Sequence, residues 1–186
     1  MAAEVRGATI CALARAVATD IDTAWEAVKT AEDPRIHVFI NTSDIQMAHQ
    51  LNKDREQVLT QAEGDGKARG EVHQQRRVQP HGRDTRRPEV RVRDRQALRG
   101  RGHAATINIP DSVGYAIPAE IEELFKMVME NVPNIHKARL SFHGQNDLGL
   151  CTGNTLAAVS AGARQVEVTI NGIGERRPGT LPSRKW

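Results

Sequence analysis

The sequence has few aromatic residues, two cysteines and no long apolar run. Phe, Trp and Tyr make up 3% of the 186 residues, a low fraction for a packed globular chain. No apolar run reaches the roughly eighteen residues of a membrane-spanning helix, and no secretory signal pattern opens the chain. Cys11 and Cys151 lie far apart, without metal or redox spacing. These absences predict a cytoplasmic protein with no disulfide framework and no membrane partner.

All the excess positive charge lies in residues 63–104. This segment has 12 Lys and Arg against 6 Asp and Glu, whereas the remainder has 14 against 17. It contains no Ile, Phe, Met, Trp or Tyr, and only four Val and one Leu. Such a segment buries too little apolar surface to offset its ordering entropy. We therefore expect it to be disordered and to add no buried strand to a core.

The flanking blocks, residues 1–62 and 105–176, alternate strand patterns with helix patterns. The predicted strands are Thr9–Ala14, Ile36–Ile40, Thr106–Ile109, Ala138–Phe142 and Gln165–Ile170. Their short apolar runs are typical of strands that are buried on both faces. Alternation of this kind favours a parallel α/β sheet or barrel.

Four helices are predicted between these strands. Asp20 or Asp22 can cap the first, whose apolar stripe includes Ile21, Trp25 and Val28. Asp54 begins the second. Pro118 suits the first turn of the third, with the apolar stripe Ile121, Leu124, Phe125, Val128 and Met129. The fourth covers the Ala-rich residues 148–161.

Several motifs in the flanking blocks resemble the 2-isopropylmalate synthase family. They are RIHVFINTSDIQMAHQL, ATINIPDSVGYAIP, FHGQNDLGLCTGNTLAAVSAGARQVEVTINGIGER and, near the start, CALARAVATDIDTAWEAVKTA. Homocitrate and citramalate synthases share much of this pattern. The resemblance implies an acyltransferase that performs a Claisen condensation of acetyl-CoA with 2-oxoisovalerate in leucine biosynthesis. It also implies a homodimer in the cytoplasm, or in the plastid of a plant.

The fold implied by the resemblance is a partial (β/α)8 TIM barrel, missing the first two strands and the fifth. An alternative reading frame of plausible codons for residues 72–103 gives a string that resembles the family's fifth strand and the following helix. A different reading frame of the tail, residues 177–186, likewise gives a string that resembles the family's continuation after NGIGER. We interpret both as frame disruptions, although a real basic insert stays an alternative for 63–104.

The resemblance also implies site residues. His143 and Gln145 occupy the family's H-x-H metal motif, which binds a divalent ion such as Mg²⁺ or Mn²⁺. Ser112 stands where relatives have a Thr that binds the substrate carboxylate, and Glu175 is a candidate catalytic acid or base. From the residues alone, purely structural roles remain as alternatives. His143 could be a strand-end histidine hydrogen-bonded to a neighbour, Ser112 could cap its loop, and residues 172–175 could form a simple turn. His37 is expected to be a barrel-interior histidine rather than a ligand.

The Arg cluster between Arg83 and Arg101 raises a second hypothesis, a basic nucleic-acid-binding protein on an α/β scaffold. The cluster lacks interleaved aromatic residues and any recognisable binding module. We therefore expect no specific nucleic-acid partner. Two of the four family metal ligands fall outside the matching motifs, so we expect the chain on its own to be inactive.

Overall fold

The computed structural model describes residues 2–41, 47–54, 56–58, 60, 75–81, 104–133 and 135–174. The strands are β1 (Thr9–Arg15), β2 (Asp33–Asn41), β3 (Gln75–His81), β4 (Ala104–Asp111), β5 (Arg139–Gly144) and β6 (Gln165–Glu167). The helices are α1 (Ala18–Val28), α2 (Pro118–Asn131) and α3 (Cys151–Ser160), with short helical turns at Met47–Leu51, Ile135–Lys137 and Ile170–Gly172. No described helix is long and apolar enough to cross a bilayer.

The described strands form one parallel sheet in chain order, from β1 to β6. Ala14 pairs with Val38 between β1 and β2, and Ile107 pairs with Leu140 between β4 and β5. Because all strands run the same way, their carboxyl ends lie at one edge of the sheet. In barrels and open sheets of this kind, that edge carries the functional loops.

Apolar side chains on one face of the sheet pack against the helices in two clusters. One cluster joins α1 to β1 and β2, and the other joins α2 and α3 to β4 and β5. In the second cluster the rings of Phe125 and Phe142 meet edge to face, with centroids 6.1 Å apart. Successive strand residues point to opposite faces, so the polar residues that alternate with these apolar ones face the other way. They include His37, Asn108, Ser141 and His143.

The sheet is strongly curved, with the polar face inside. In a flat sheet β2 and β6, four strand positions apart, would be separated by about 19 Å at ~4.8 Å per strand. Yet His37 Nδ1 on β2 lies 3.9 Å from Glu167 Oε1 on β6. The polar face is therefore the concave inner face of a partial barrel, as the sequence predicts.

The expectation that the fifth barrel strand is missing is wrong, because Gln75–His81 within 63–104 forms a strand of the sheet. This stretch is β3, which pairs in parallel with β2 on one side and β4 on the other. Val78, for example, pairs with Val38 and with Ile107. Composition describes the segment alone, whereas a central strand gains backbone hydrogen bonds from both neighbours whatever its side chains. Apart from Ala104, which begins β4, the rest of 63–104 lies outside the described residues, and so does the tail.

Three smaller expectations also need correction. Neither Asp20 nor Asp22 caps α1, which begins after Val17, and Asp20 forms an ion pair with Arg15 instead. Met129 belongs to the predicted apolar stripe of α2 but is 43% exposed. Strand β6 ends at Glu167 rather than at 170, because the chain turns at Ile170–Gly172 with Asn171 at φ 58°.

Other helix signals are confirmed. Pro118 is the first residue of α2, and Glu120 accepts a hydrogen bond from the backbone N–H of Ile117. Asp54 Oδ1 accepts from the backbone N–H of Gln57, while Gln57 Oε1 accepts from that of Asp54. Residues 56–58 are helical, so this reciprocal cap begins a helix where Asp54 predicts one.

Candidate active site

Two loops at the carboxyl edge of the sheet are joined around Asp111. This carboxylate is buried and accepts hydrogen bonds from the backbone N–H groups of Gly114 and Ala116, each at 3.0 Å. The N–H of Gln145 donates to the carbonyl of Asp111 at 3.1 Å. The loop that follows β4 is therefore held against the loop that follows β5 at the place where Ser112 and Gln145 lie.

His143 stands at the centre of the site, near the end of β5 on the inner face. Its Nδ1 lies 2.7 Å from Glu167 Oε2, and its Nε2 lies 3.3 Å from the side-chain nitrogen of Gln145. A carboxylate only accepts hydrogen bonds, so an ionised Glu167 pairs with the tautomer of His143 that carries its proton on Nδ1. In the neutral ring this leaves the lone pair on Nε2, which points toward Gln145.

Glu167 contacts three strands of the inner face. Besides His143 on β5, it contacts residues of β4 and β2. Asn108 Nδ2 of β4 lies 3.5 Å from Glu167 Oε2, and His37 Nδ1 of β2 lies 3.9 Å from Glu167 Oε1. Its side chain is 19% exposed, and that of His37 is 9% exposed. The concave face thus gathers two imidazoles, an amide and a carboxylate into one polar cluster. His37 is a barrel-interior histidine, as expected.

The donor set at His143 fits part of a divalent metal site. Imidazole Nε2 and an amide oxygen are both metal donors, and rotation of the Gln145 amide would turn its oxygen toward Nε2. Among the described residues no group of three or more His, Cys, Asp or Glu side chains could hold a metal ion.

The other predicted site residues have different outcomes. Ser112 is half-buried and directly follows β4, beside the strand end that carries Gln145. Glu175 lies outside the described residues. Asn146, next to Gln145, accepts a hydrogen bond from the backbone N–H of Cys151 at 3.2 Å and so contributes to the start of α3.

Cys151 lies buried directly behind the site. Its thiol donates to the carbonyl of Gly144 at 3.1 Å. Burial raises the pKa of the Cys151 thiol, against the smaller lowering effect of its contact with Thr155. The thiol is therefore held protonated, and it packs the first turn of α3 against the end of β5.

Glu167 is the site residue that sequence reasoning missed. The signal available was its alternation in the strand QVE, which places Glu167 on the same face as Gln165 and opposite Val166. A charged residue at an inner-face position of a barrel strand indicates a polar site. Its pairing with His143 depends on strand register, which the sequence does not give.

A curved parallel sheet with helices outside and a polar site at the carboxyl edge defines a protein of the TIM-barrel class. The chain belongs to the HMGL-like family, whose model matches residues 1–182. It is 48% identical over 187 aligned residues to the 2-isopropylmalate synthase of Syntrophus aciditrophicus, covering 97% of this chain and 35% of that protein. The chain thus spans about a third of the length of the curated relative.

Solved structures share the fold. The hydroxymethylglutaryl-CoA lyase of Pseudomonas aeruginosa superposes with a TM-score of 0.78 over 97% of this chain and 61% of that one, at 18% identity. An HMG-CoA lyase from Acinetobacter baumannii, in complex with coenzyme A and 3-methylmalate, superposes with a TM-score of 0.59. The match covers 79% of this chain and 48% of that one, also at 18% identity. These likenesses support the barrel architecture.

Proposed function

We propose that the chain forms part of the catalytic barrel of a 2-isopropylmalate synthase, which condenses acetyl-CoA with 2-oxoisovalerate in leucine biosynthesis. The observation that carries this proposal is the 48% identity to a 2-isopropylmalate synthase over 97% of the chain. The oriented ring of His143 at the carboxyl edge of the sheet supports it, because barrel enzymes place their chemistry at that edge.

His143 Nε2 and the Gln145 amide oxygen would hold Mg²⁺ or Mn²⁺ in this proposal. When bound, the ion would polarise the keto group of the 2-oxo acid as a Lewis acid. The hydroxyl of Ser112 would donate a hydrogen bond to the carboxylate of the 2-oxo acid. This role suits its place after β4, beside the strand end that carries Gln145.

Acid–base chemistry is needed on both substrates. The acetyl methyl group loses a proton, the resulting carbon attacks the keto carbon, and the new alkoxide gains a proton before water releases CoA. We assign Glu175 to this acid–base network. Asp111 supports the substrate loop, because its two backbone hydrogen bonds fix the path of the chain just after Ser112.

The remaining assignments rest on relatedness. The fold neighbour from Acinetobacter baumannii holds coenzyme A, which is consistent with an acetyl-CoA substrate here. We propose a homodimer in the cytoplasm, or in the plastid of a plant, and no specific nucleic-acid partner.

A chimera tests the proposal. Residues 105–176 would replace the corresponding stretch of the Syntrophus aciditrophicus enzyme, and release of free CoA would be followed with acetyl-CoA and several 2-oxo acids. The expected result is turnover that prefers 2-oxoisovalerate and stops on addition of a chelator. Preference for 2-oxoglutarate or pyruvate would instead favour a homocitrate or citramalate synthase. A folded chimera without turnover on any of the three would contradict the proposal.

A further inference from the structure

We propose that Glu167 is the positioning residue for His143: it fixes which ring nitrogen carries the proton and aims the other at the divalent ion. The role of the ion rests on the proposed function, whereas the state of the ring does not. The inference starts from the contact of 2.7 Å between Glu167 Oε2 and His143 Nδ1, which joins β6 to β5 across the inner face.

The chemistry of the pair dictates the direction of the hydrogen bond. A carboxylate presents only acceptors, so His143 donates from Nδ1. Nε2 is then an acceptor, and the Gln145 amide nitrogen 3.3 Å away is placed to donate to it. Metal-ligating histidines typically donate their second ring N–H to a carboxylate in this way.

Glu167 is itself held in place from other strands. Asn108 Nδ2 lies 3.5 Å from the same oxygen that faces His143, and the other oxygen faces His37 Nδ1 at 3.9 Å. Contacts from β4 and β2 therefore restrict the carboxylate, and the carboxylate restricts the ring. This arrangement accounts for a charged residue on the inner face of a strand only three residues long.

The direct test is the protonation of the His143 ring in the full chain. Nitrogen-15-labelled histidine and a long-range proton–nitrogen NMR spectrum distinguish a protonated from an unprotonated ring nitrogen. The chain has seven histidines, and the signals of His143 are identified by their loss in His143→Gln. We expect, in mildly alkaline buffer without metal, a protonated Nδ1 and an unprotonated Nε2.

Two variants complete the test. Glu167→Ala should move the proton of His143 toward Nε2 or give averaged signals, while Glu123→Ala, at an exposed position on α2, should leave the ring as in the parent chain. Circular dichroism checks that each variant keeps its fold. If Glu167→Ala does not fold, the parent spectrum still decides: a proton on Nε2, alone or together with one on Nδ1, overturns the proposal. An unchanged ring in folded Glu167→Ala overturns it as well.

A second readout separates this inference from the proposed function. Electron paramagnetic resonance of Mn²⁺ measures binding without any turnover. We expect Glu167→Ala to weaken binding by about 10–100-fold, the range for loss of a partner that orients a metal ligand. Equal affinity in parent and variant would contradict a positioning role. Absence of Mn²⁺ binding to the chain and the chimera would count against the proposed function, while the NMR result would still decide the role of Glu167.

Discussion

His37 Nδ1 and Glu167 Oε1 lie 3.9 Å apart, although their strands are four positions from each other in the sheet. This contact closes the concave face and gathers His143 and Asn108 around one carboxylate. The relationship depends on every strand between β2 and β6, including β3 from the Arg-rich segment. The partial barrel is therefore a continuous curved sheet within the part of the chain that the structure describes.

Gly114 shapes the loop that carries Ser112, and its replacement by Ala should destabilise the chain. Gly114 has φ +74°, and an added Cβ would clash with Asp147 Oδ2 and meet the backbone nitrogen of Asp147 at 3.0 Å. The left-handed backbone alone costs about 1–2 kcal/mol for a residue with a Cβ. We expect the clash to lower the free energy of unfolding further, and urea unfolding measures the total loss.

Gly149→Ala is the matched control for this prediction. Gly149 has the same φ of +74°, but nothing lies within 4 Å of an added Cβ. The difference between the two variants therefore isolates the contact between the loops after β4 and β5. If both variants lose equal stability, the close packing of Gly114 against Asp147 is incorrect.

Cys151 should react slowly with thiol reagents and should make stability fall at alkaline pH. Burial raises its pKa, so in the window above the ordinary thiol value the folded chain binds more protons than the unfolded chain. The contribution of this thiol to the free energy of unfolding is therefore fully present below that window and is lost as pH rises through it. Urea unfolding of the parent chain and of Cys151→Ala, from neutral to alkaline pH, measures the difference in slope.

Cys11 is the internal reference for reactivity, since it is exposed whereas Cys151 is buried. Mass spectrometry after brief treatment with iodoacetamide should find the label on Cys11. Labelling of Cys151 at a similar rate would mean that the start of α3 is not packed against Gly144 as described.

Gln145→His should strengthen binding of a divalent ion. The variant places two imidazoles at alternate positions, both on the inner face, and an imidazole nitrogen is a stronger donor than a neutral amide oxygen. We expect affinity to rise by at least about 10-fold, equivalent to ~1.4 kcal/mol. Mn²⁺ titration followed by electron paramagnetic resonance measures it. His136→Gln, at an exposed position, should leave affinity unchanged, and no gain in Gln145→His would count against a site at His143.

The strands and helices of the flanking blocks were largely predictable, because their apolar periodicity reports burial directly. Pro118 and the Asp54–Gln57 cap are local signals, and both are confirmed. Strand β3 was not predictable from composition, since its pairing comes from neighbours distant in sequence. Glu167 was missed for the same reason: its position opposite His143 is set by the register of β5 and β6. Local pattern gives the elements, whereas the site depends on register and curvature.

We propose that the edge of the sheet around His143 is a condensation site, and the turnover of the chimera with residues 105–176 tests this most directly. Free CoA released from acetyl-CoA and 2-oxoisovalerate would be compared for the chimera, for His143→Gln and for His136→Gln. We predict that His143→Gln lowers kcat/KM by at least about 100-fold, since loss of a ligand exceeds the roughly 10–100-fold effect of its outer partners. His136→Gln should leave it unchanged. Full turnover in a folded His143→Gln chimera would contradict the account.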